Sequence, residues 1–398
     1  MTHTVVVGAG IAGLWIAARL AEAGDRVTVL EAYGKPGGRV LTSRFGYELG
    51  AGRVHRTHRR VMALIRRYKL TAESMSADLA WMPLGSHTPV PNRFEVIWRA
   101  FCRELRRLPP ALLATHTLRE IATAVSPAVA AALLDQFPYR AETERLRADL
   151  AIQTFEAEMG THEGYLHVRG GLSQIIEGLL RDLRTHGGRL ILNRRVTNVT
   201  RGLAGSLLVH SNRAKPLCAD RVILALHATA LKTLPVVSDM PALQHLGMAP
   251  LTRIYAQYPG RWCWPRLVTD SPLRYVIPID PAKGLVMISY TDDRDTQQWK
   301  DLSGETLTTA VQNEARRLFG LSLPDPLWVR AAEWQEGATF WKPGTYSPAR
   351  MSRASLQPRA DMPGLFCCSE SFSVGRQAWM EGALEHAELL WNTVQCQS

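Results

Sequence analysis

Thr4-Val5-Val6-Val7-Gly8-Ala9-Gly10-Ile11-Ala12-Gly13, continued through an alanine-rich stretch to Gly24 and on to Arg26-Val27-Thr28-Val29-Leu30-Glu31, decides how this chain begins to fold. The β-branched run predicts a strand, Leu14 to Ala23 a helix closed by Gly24, and residues 26–30 a second strand. A G-x-G-x-x-G segment joins the first strand to the helix. Gly8 suits the tight turn, Gly10 lets a pyrophosphate approach the backbone, and Gly13 lets helix pack on strand. First-turn amides around Gly10, Ala12 and Gly13, with the positive end of the helix dipole, suit phosphates. Glu31 stands 18 residues past Gly13, where a carboxylate accepts bonds from ribose hydroxyls. Glycines alone mark ordinary turns. Strand, helix and acid in this register predict a dinucleotide site.

The chain then reads Gly37-Gly38-Arg39-Val40 and Tyr47-Glu48-Leu49-Gly50-Ala51-Gly52-Arg53-Val54. A nicotinamide dehydrogenase has no need of a second glycine-arginine turn just after the ribose acid. These segments resemble the FAD-dependent amine oxidase superfamily, which includes monoamine, polyamine and L-amino-acid oxidases. The resemblance implies that Gly38 and Arg39 lie along FAD, with the arginine near the diphosphate and isoalloxazine. It also implies that the segment holding Gly52 and Arg53 runs beside the flavin ring.

Later segments extend the resemblance in order. Residues 168–177 resemble the family's helix-opening glycine pair, here Gly170-Gly171. Ile191 to Val199 resembles a strand whose valine backbone contacts adenine, matched by Val196. Residues 221–225 resemble the strand that follows. Pro363 to Glu370 resembles a strand ending in A-G-E, whose acid, here Glu370, binds the ribityl or phosphate region through a hydroxyl. Ala378-Trp379-Met380-Glu381-Gly382-Ala383 resembles a helix start that caps the pyrimidine end of the flavin, which implies a place there for Met380.

A chain of 398 residues is too long for one simple domain. The resemblance implies an α/β fold: a Rossmann-like FAD-binding domain of the glycine-arginine type with an interleaved α+β substrate-binding domain. The FAD domain is expected to be discontinuous, over residues 1–70, 165–235 and 355–398. Residues 71–164 and 236–354 are expected to form the substrate domain. Its first part reads as mostly helical, with candidate helices at 117–125 and 127–137, and its second as β-rich, as in Leu285 to Tyr290.

The formal net charge is +11. The arginines are spread along the chain rather than gathered with aromatics, so nucleic acid is not an expected partner. A basic cleft that draws an acidic substrate fits better. The six cysteines form no C-x-x-C, which argues against a zinc site or redox pair and for a reduced, cytoplasmic protein. The first strand begins almost at Met1, so no signal peptide is expected. No stretch reaches the roughly 18 apolar residues of a spanning helix, so no membrane anchor is expected. His55 and His58, spaced i and i+3, are too few for a metal site.

A flavin carries the redox chemistry while protein supplies position and electrostatics. The family places a lysine, an aromatic pair and, in some members, a flavin-linked cysteine around the ring. This chain departs at each. Arg253 takes the lysine's position in residues 249–259, and arginine is a planar five-donor fork that stays charged. It suits either a water at the flavin's N5 or a substrate carboxylate. Trp379 matches one aromatic wall, and Trp341 or Phe340 is the candidate for the other. No cysteine matches the linking position, so FAD is expected to be noncovalent. The expected reaction is oxidation of an amine or amino acid at its C–N bond by hydride transfer, with dioxygen as the expected acceptor. A same-fold desaturase, dehydrogenase or redox-neutral isomerase is the alternative.

Overall fold

The computed structural model of the chain describes residues 1–160, 163–213 and 215–396. Residues 161, 162, 214, 397 and 398 of the expected segments lie outside the described residues. The chain divides into two compact units, each built from separate stretches. The first takes residues 1–73, 166–248 and 346–398, and the second takes 74–165 and 249–345.

The first unit is organised by β1 (His3–Val7), α1 (Ile11–Glu22) and β2 (Arg26–Leu30). β1 lies at the centre of a five-stranded sheet, between β2 and Arg221–Leu224. Leu365–Cys367 and Arg189–Ile191 form the two edges. Every pairing is parallel, with Val5 opposite both Thr28 and Val222. Parallel sheets are covered on both faces, which is why β1 is an unbroken apolar run; Val5 and Val6 are fully buried. α1 is apolar nearly all round because it is packed among neighbours: helices Ser173–Thr185 and Met380–Gln395 both contact it. Ligands of such open sheets sit beyond the carboxyl ends of the strands. The residues following those ends here are Gly8, Glu31, Leu192, Ala225 and Cys368.

One local expectation changes. Ile191 to Val199 is not one strand. Asn193 adopts a left-handed φ of 54°, which ends Arg189–Ile191 and starts Val196–Arg201 in a separate three-stranded antiparallel sheet. His55 and His58 stand just before helix Arg59–Arg67, and the His55 amide donates to His58 Nδ1 at 3.2 Å.

The second unit holds a seven-stranded sheet in the order Trp328–Trp341, Leu246–Gln257, Leu285–Asp292, Tyr275–Asp280, Leu267–Val268, Ala80–Trp81, Val90–Pro91. Helices from Phe94–Leu105 to Ala148–Thr154 make up its other part. Helix Gly304–Phe319 stands in the region read as β-rich. Its buried face, Leu307, Val311, Ala315 and Leu318, keeps helical spacing and packs in the core with Ile254, Val286 and Ile288. Among the described residues no helix is long and apolar enough to cross a membrane.

Candidate functional site

The three glycines after β1 are there for three different reasons. Gly8 has φ +105°, and a Cβ there would meet the Ala225 carbonyl oxygen at 2.5 Å. A Cβ on Gly13 would lie 2.1 Å from the Gly8 carbonyl oxygen, so a bare Cα is what lets α1 seat against the strand end. Gly10 differs: its φ of −74° and ψ of 176° suit any residue, and a Cβ there would project into open space with nothing within 4 Å. α1 has no side-chain cap and no acid in its first turn, as an anion site at a helix N-terminus requires.

The second glycine turn closes against the first. The Gly37 amide donates to the Ala9 carbonyl at 2.8 Å. Gly37 and Gly38 take φ of +117° and +56°, and a Cβ on Gly38 would sit 3.4 Å from Gly10 Cα. Glu31, only 7 % exposed, accepts from the Ala9 amide at 2.8 Å and the Tyr33 amide at 3.0 Å. Its carboxylate is thereby held beside the glycine loop at the end of β2. The Glu31 carbonyl accepts from the Arg194 amide at 2.7 Å, two residues before buried Val196. The open space at Gly10, the uncapped helix and the fixed acid fit a dinucleotide.

A second group forms around Glu370. Its Oε2 accepts from Arg39 Nη2 at 2.6 Å, and its Oε1 from the Ala378 amide at 3.2 Å. The Ala51 amide donates to the Arg39 carbonyl at 2.8 Å, which lays residues 49–53 alongside the glycine-arginine turn, with Gly52 half-buried. The Arg53 guanidinium lies 5.5 Å from the Trp379 ring centroid, and His58, fully buried, meets the same ring edge-on at 5.0 Å. Ala12 and Met380 are core residues of this unit, so any part they take toward a cofactor is through backbone at a helix start.

Two participants had no role in the sequence reading. His58 backs Trp379, and buried Glu381 accepts the Arg60 and Val61 amides at 3.0 and 3.1 Å. Glu381 caps helix Arg59–Arg67 from more than 300 residues away, where no local spacing reveals it.

In the second unit, Arg253 is 7 % exposed and registered opposite Tyr290. Its Nη2 donates to Tyr290 Oη at 3.3 Å, and its guanidinium carbon lies 4.6 Å from the Tyr290 centroid. Burial opposes its charge, but the Tyr290 and Tyr255 phenols outweigh burial and hold it above its ordinary range. Tyr139 packs edge-on against Tyr290 at 5.2 Å. Trp341 is fully buried beside buried Phe340, and its carbonyl accepts from the Arg147 amide at 3.1 Å.

The family described as flavin containing amine oxidoreductase matches residues 11–139 and 119–389. An L-amino-acid oxidase of Vipera ammodytes ammodytes is 46 % identical over 86 residues, covering 20 % of this chain and 18 % of that protein. One from Daboia russelii is 49 % identical over 73 residues, or 17 % and 14 % of the two chains. The match therefore spans less than a fifth of those relatives' length. A solved structure of a putrescine oxidase cofactor-binding variant superposes with a TM-score of 0.79 at 16 % identity, over 100 % of this chain and 99 % of that one. The wild-type putrescine oxidase bound to putrescine gives 0.77 at 17 %, over 99 % of both chains. By the match along most of its length, the chain belongs to the flavin containing amine oxidoreductases, a family of oxidoreductase enzymes.

Proposed function

We propose that this protein binds FAD without a covalent link and oxidises the C–N bond of a small amine or amino acid. The observation that carries the reading is the glycine cradle: the Gly10 Cβ direction is open while its neighbours Gly8 and Gly13 are closed, in a chain matched by the family over residues 11–139 and 119–389. When bound, FAD supplies the acceptor for a hydride leaving the carbon next to nitrogen, and dioxygen takes the electrons on. The first-turn amides of α1 hold the diphosphate. Glu31, already fixed by two amides, keeps lone pairs for ribose hydroxyls. Gly38, Arg39, Gly52, Arg53 and Val196 line the cofactor, and Glu370 fixes Arg39 beside it.

In the first unit, Trp379 is assigned to an aromatic wall of the substrate site; in the second, Arg253 is assigned to a substrate carboxylate or to a water it orients, and Trp341 to an aromatic wall. The noncovalent link is favoured because no cysteine stands at the family's flavin-linking position, and Cys367 and Cys368 are buried in the core. The six free cysteines suit a reducing, cytoplasmic compartment.

The test has two stages. Acid precipitation of the yellow protein is expected to release intact FAD; flavin left on the polypeptide would refute the noncovalent part. An anaerobic panel of amines and L-amino acids is then expected to bleach the flavin, with peroxide formed on readmitting air. Bleaching without peroxide would exclude dioxygen as the acceptor. A flavin bleached by none of them would overturn the substrate class.

A further inference from the structure

We infer that Glu370 is a positioning residue whose two oxygens set two different parts of the site, Arg39 and Trp379. The inference rests on the reading of Trp379 as a wall of the substrate site. The bond from Arg39 Nη2 to Oε2, at 2.6 Å, ties the glycine-arginine turn to a carboxylate that is almost wholly buried. The other oxygen takes the Ala378 amide at 3.2 Å. Ala378 has a left-handed φ of 65°, a conformation that an alanine keeps only where neighbours enforce it.

That strained residue immediately precedes Trp379 and the start of helix Met380–Gln395. The loop leading to it is tightly fitted. Gln377 Nε2 donates to the Ser371 carbonyl at 2.7 Å. A Cβ on Gly382 would sit 2.0 Å from the Arg376 carbonyl oxygen. With its ends pinned, the turn can change its course mainly at Ala378. The Glu370 bond selects the left-handed turn, and that turn sends the indole of Trp379 against both His58 and Arg53.

The two arms separate by substitution. Glu370→Gln keeps an acceptor for Ala378 but loses the charge facing Arg39. Glu370→Met loses both. Ala378→Gly lets the residue occupy positive φ without help from the bond. The full chain is labelled with 5-fluorotryptophan, and the Trp379 line is assigned by its loss in Trp379→Phe. In protein without FAD, the line is expected to shift in Glu370→Met, to return in Glu370→Met/Ala378→Gly, and to stay in place in Glu370→Gln.

With FAD bound, and with putrescine or L-leucine as reductant, KM is expected to rise about tenfold in Glu370→Met. The added Ala378→Gly should bring KM back, while FAD affinity, which depends on the Arg39 arm, stays weakened. A Trp379 line unmoved by Glu370→Met, or one that Ala378→Gly does not restore, would overturn the inference. If Glu370→Met does not fold, folding regained with Ala378→Gly supports it, and failure in both backgrounds overturns it. Lack of reduction by either compound in the wild type counts against the proposed substrates and leaves the fluorine result standing.

Discussion

Replacing Gly10 and Gly13 one at a time separates binding from folding within four residues. At Gly10 the backbone is extended and the Cβ direction is open. Gly10→Ala gains about 0.4–1 kcal/mol by restricting the unfolded chain and loses a similar amount of N-cap preference. The protein without FAD should therefore melt within about 2 °C of the wild type. Gly10→Val fills the same open space with two further methyl groups. Loss of the amide–phosphate bonds, at roughly 1.5–3 kcal/mol each, predicts at least 100-fold weaker FAD binding. Gly13→Ala is the contrasting case. Its Cβ would start 2.1 Å from the Gly8 carbonyl oxygen, so α1 must back away from the strand end, at a cost of about 1–3 kcal/mol or more. The assay is thermal melting with and without added FAD. Wild-type protein gains melting temperature with FAD by linkage, Gly10→Val does not, and Gly13→Ala melts early in both conditions. Gly10→Val binding FAD at wild-type strength, or Gly10→Ala melting as low as Gly13→Ala, would refute the division of roles.

Further outcomes follow from single side chains. Glu31→Ala should weaken FAD binding by about 2–3 kcal/mol and also loosen the glycine loop, since the Ala9 amide loses its acceptor; titration calorimetry showing unchanged affinity would remove Glu31 from the site. Burial lowers the His386 pKa to about 4 from 6.5, with its bond to the Ser352 carbonyl opposing. The unfolded chain thus binds more protons across that window, so the stability present above pH 6.5 falls by roughly 3 kcal/mol as pH drops through about 4. Urea titrations at pH 7 and 5 should show this loss shrink in His386→Asn, and an unchanged difference would exonerate His386. Glu381→Ala should destabilise the first unit by about 1–2 kcal/mol through the lost cap on helix Arg59–Arg67, read as a lower urea midpoint. Arg253→Lys should raise the apparent substrate constant if the guanidinium holds a carboxylate, or speed flavin reoxidation if it orients a water; stopped-flow traces in which neither half-reaction moves would make the residue structural.

The sequence by itself determined the parts whose information is local. β1, α1 and β2 follow from a β-branched run, an apolar helical stretch and Gly24, because backbone propensity and one-step periodicity act over a few residues. The positions of Gly8, Gly10, Gly13 and Glu31 follow from the same stretch. Only tertiary structure decided what closes the space at Gly8, because the carbonyl that excludes a Cβ there belongs to Ala225. The Arg39–Glu370 pair, 331 residues apart, and the Glu381 cap on a distant helix have no spacing to betray them, since such contacts depend on how the sheet gathers remote segments. Helix Gly304–Phe319 carried its pattern in Leu307, Val311 and Ala315, but the surrounding β-like runs obscured it. The break at Asn193 was hidden for the opposite reason. Its flanks both favour strand, and a single left-handed residue sends them into different sheets.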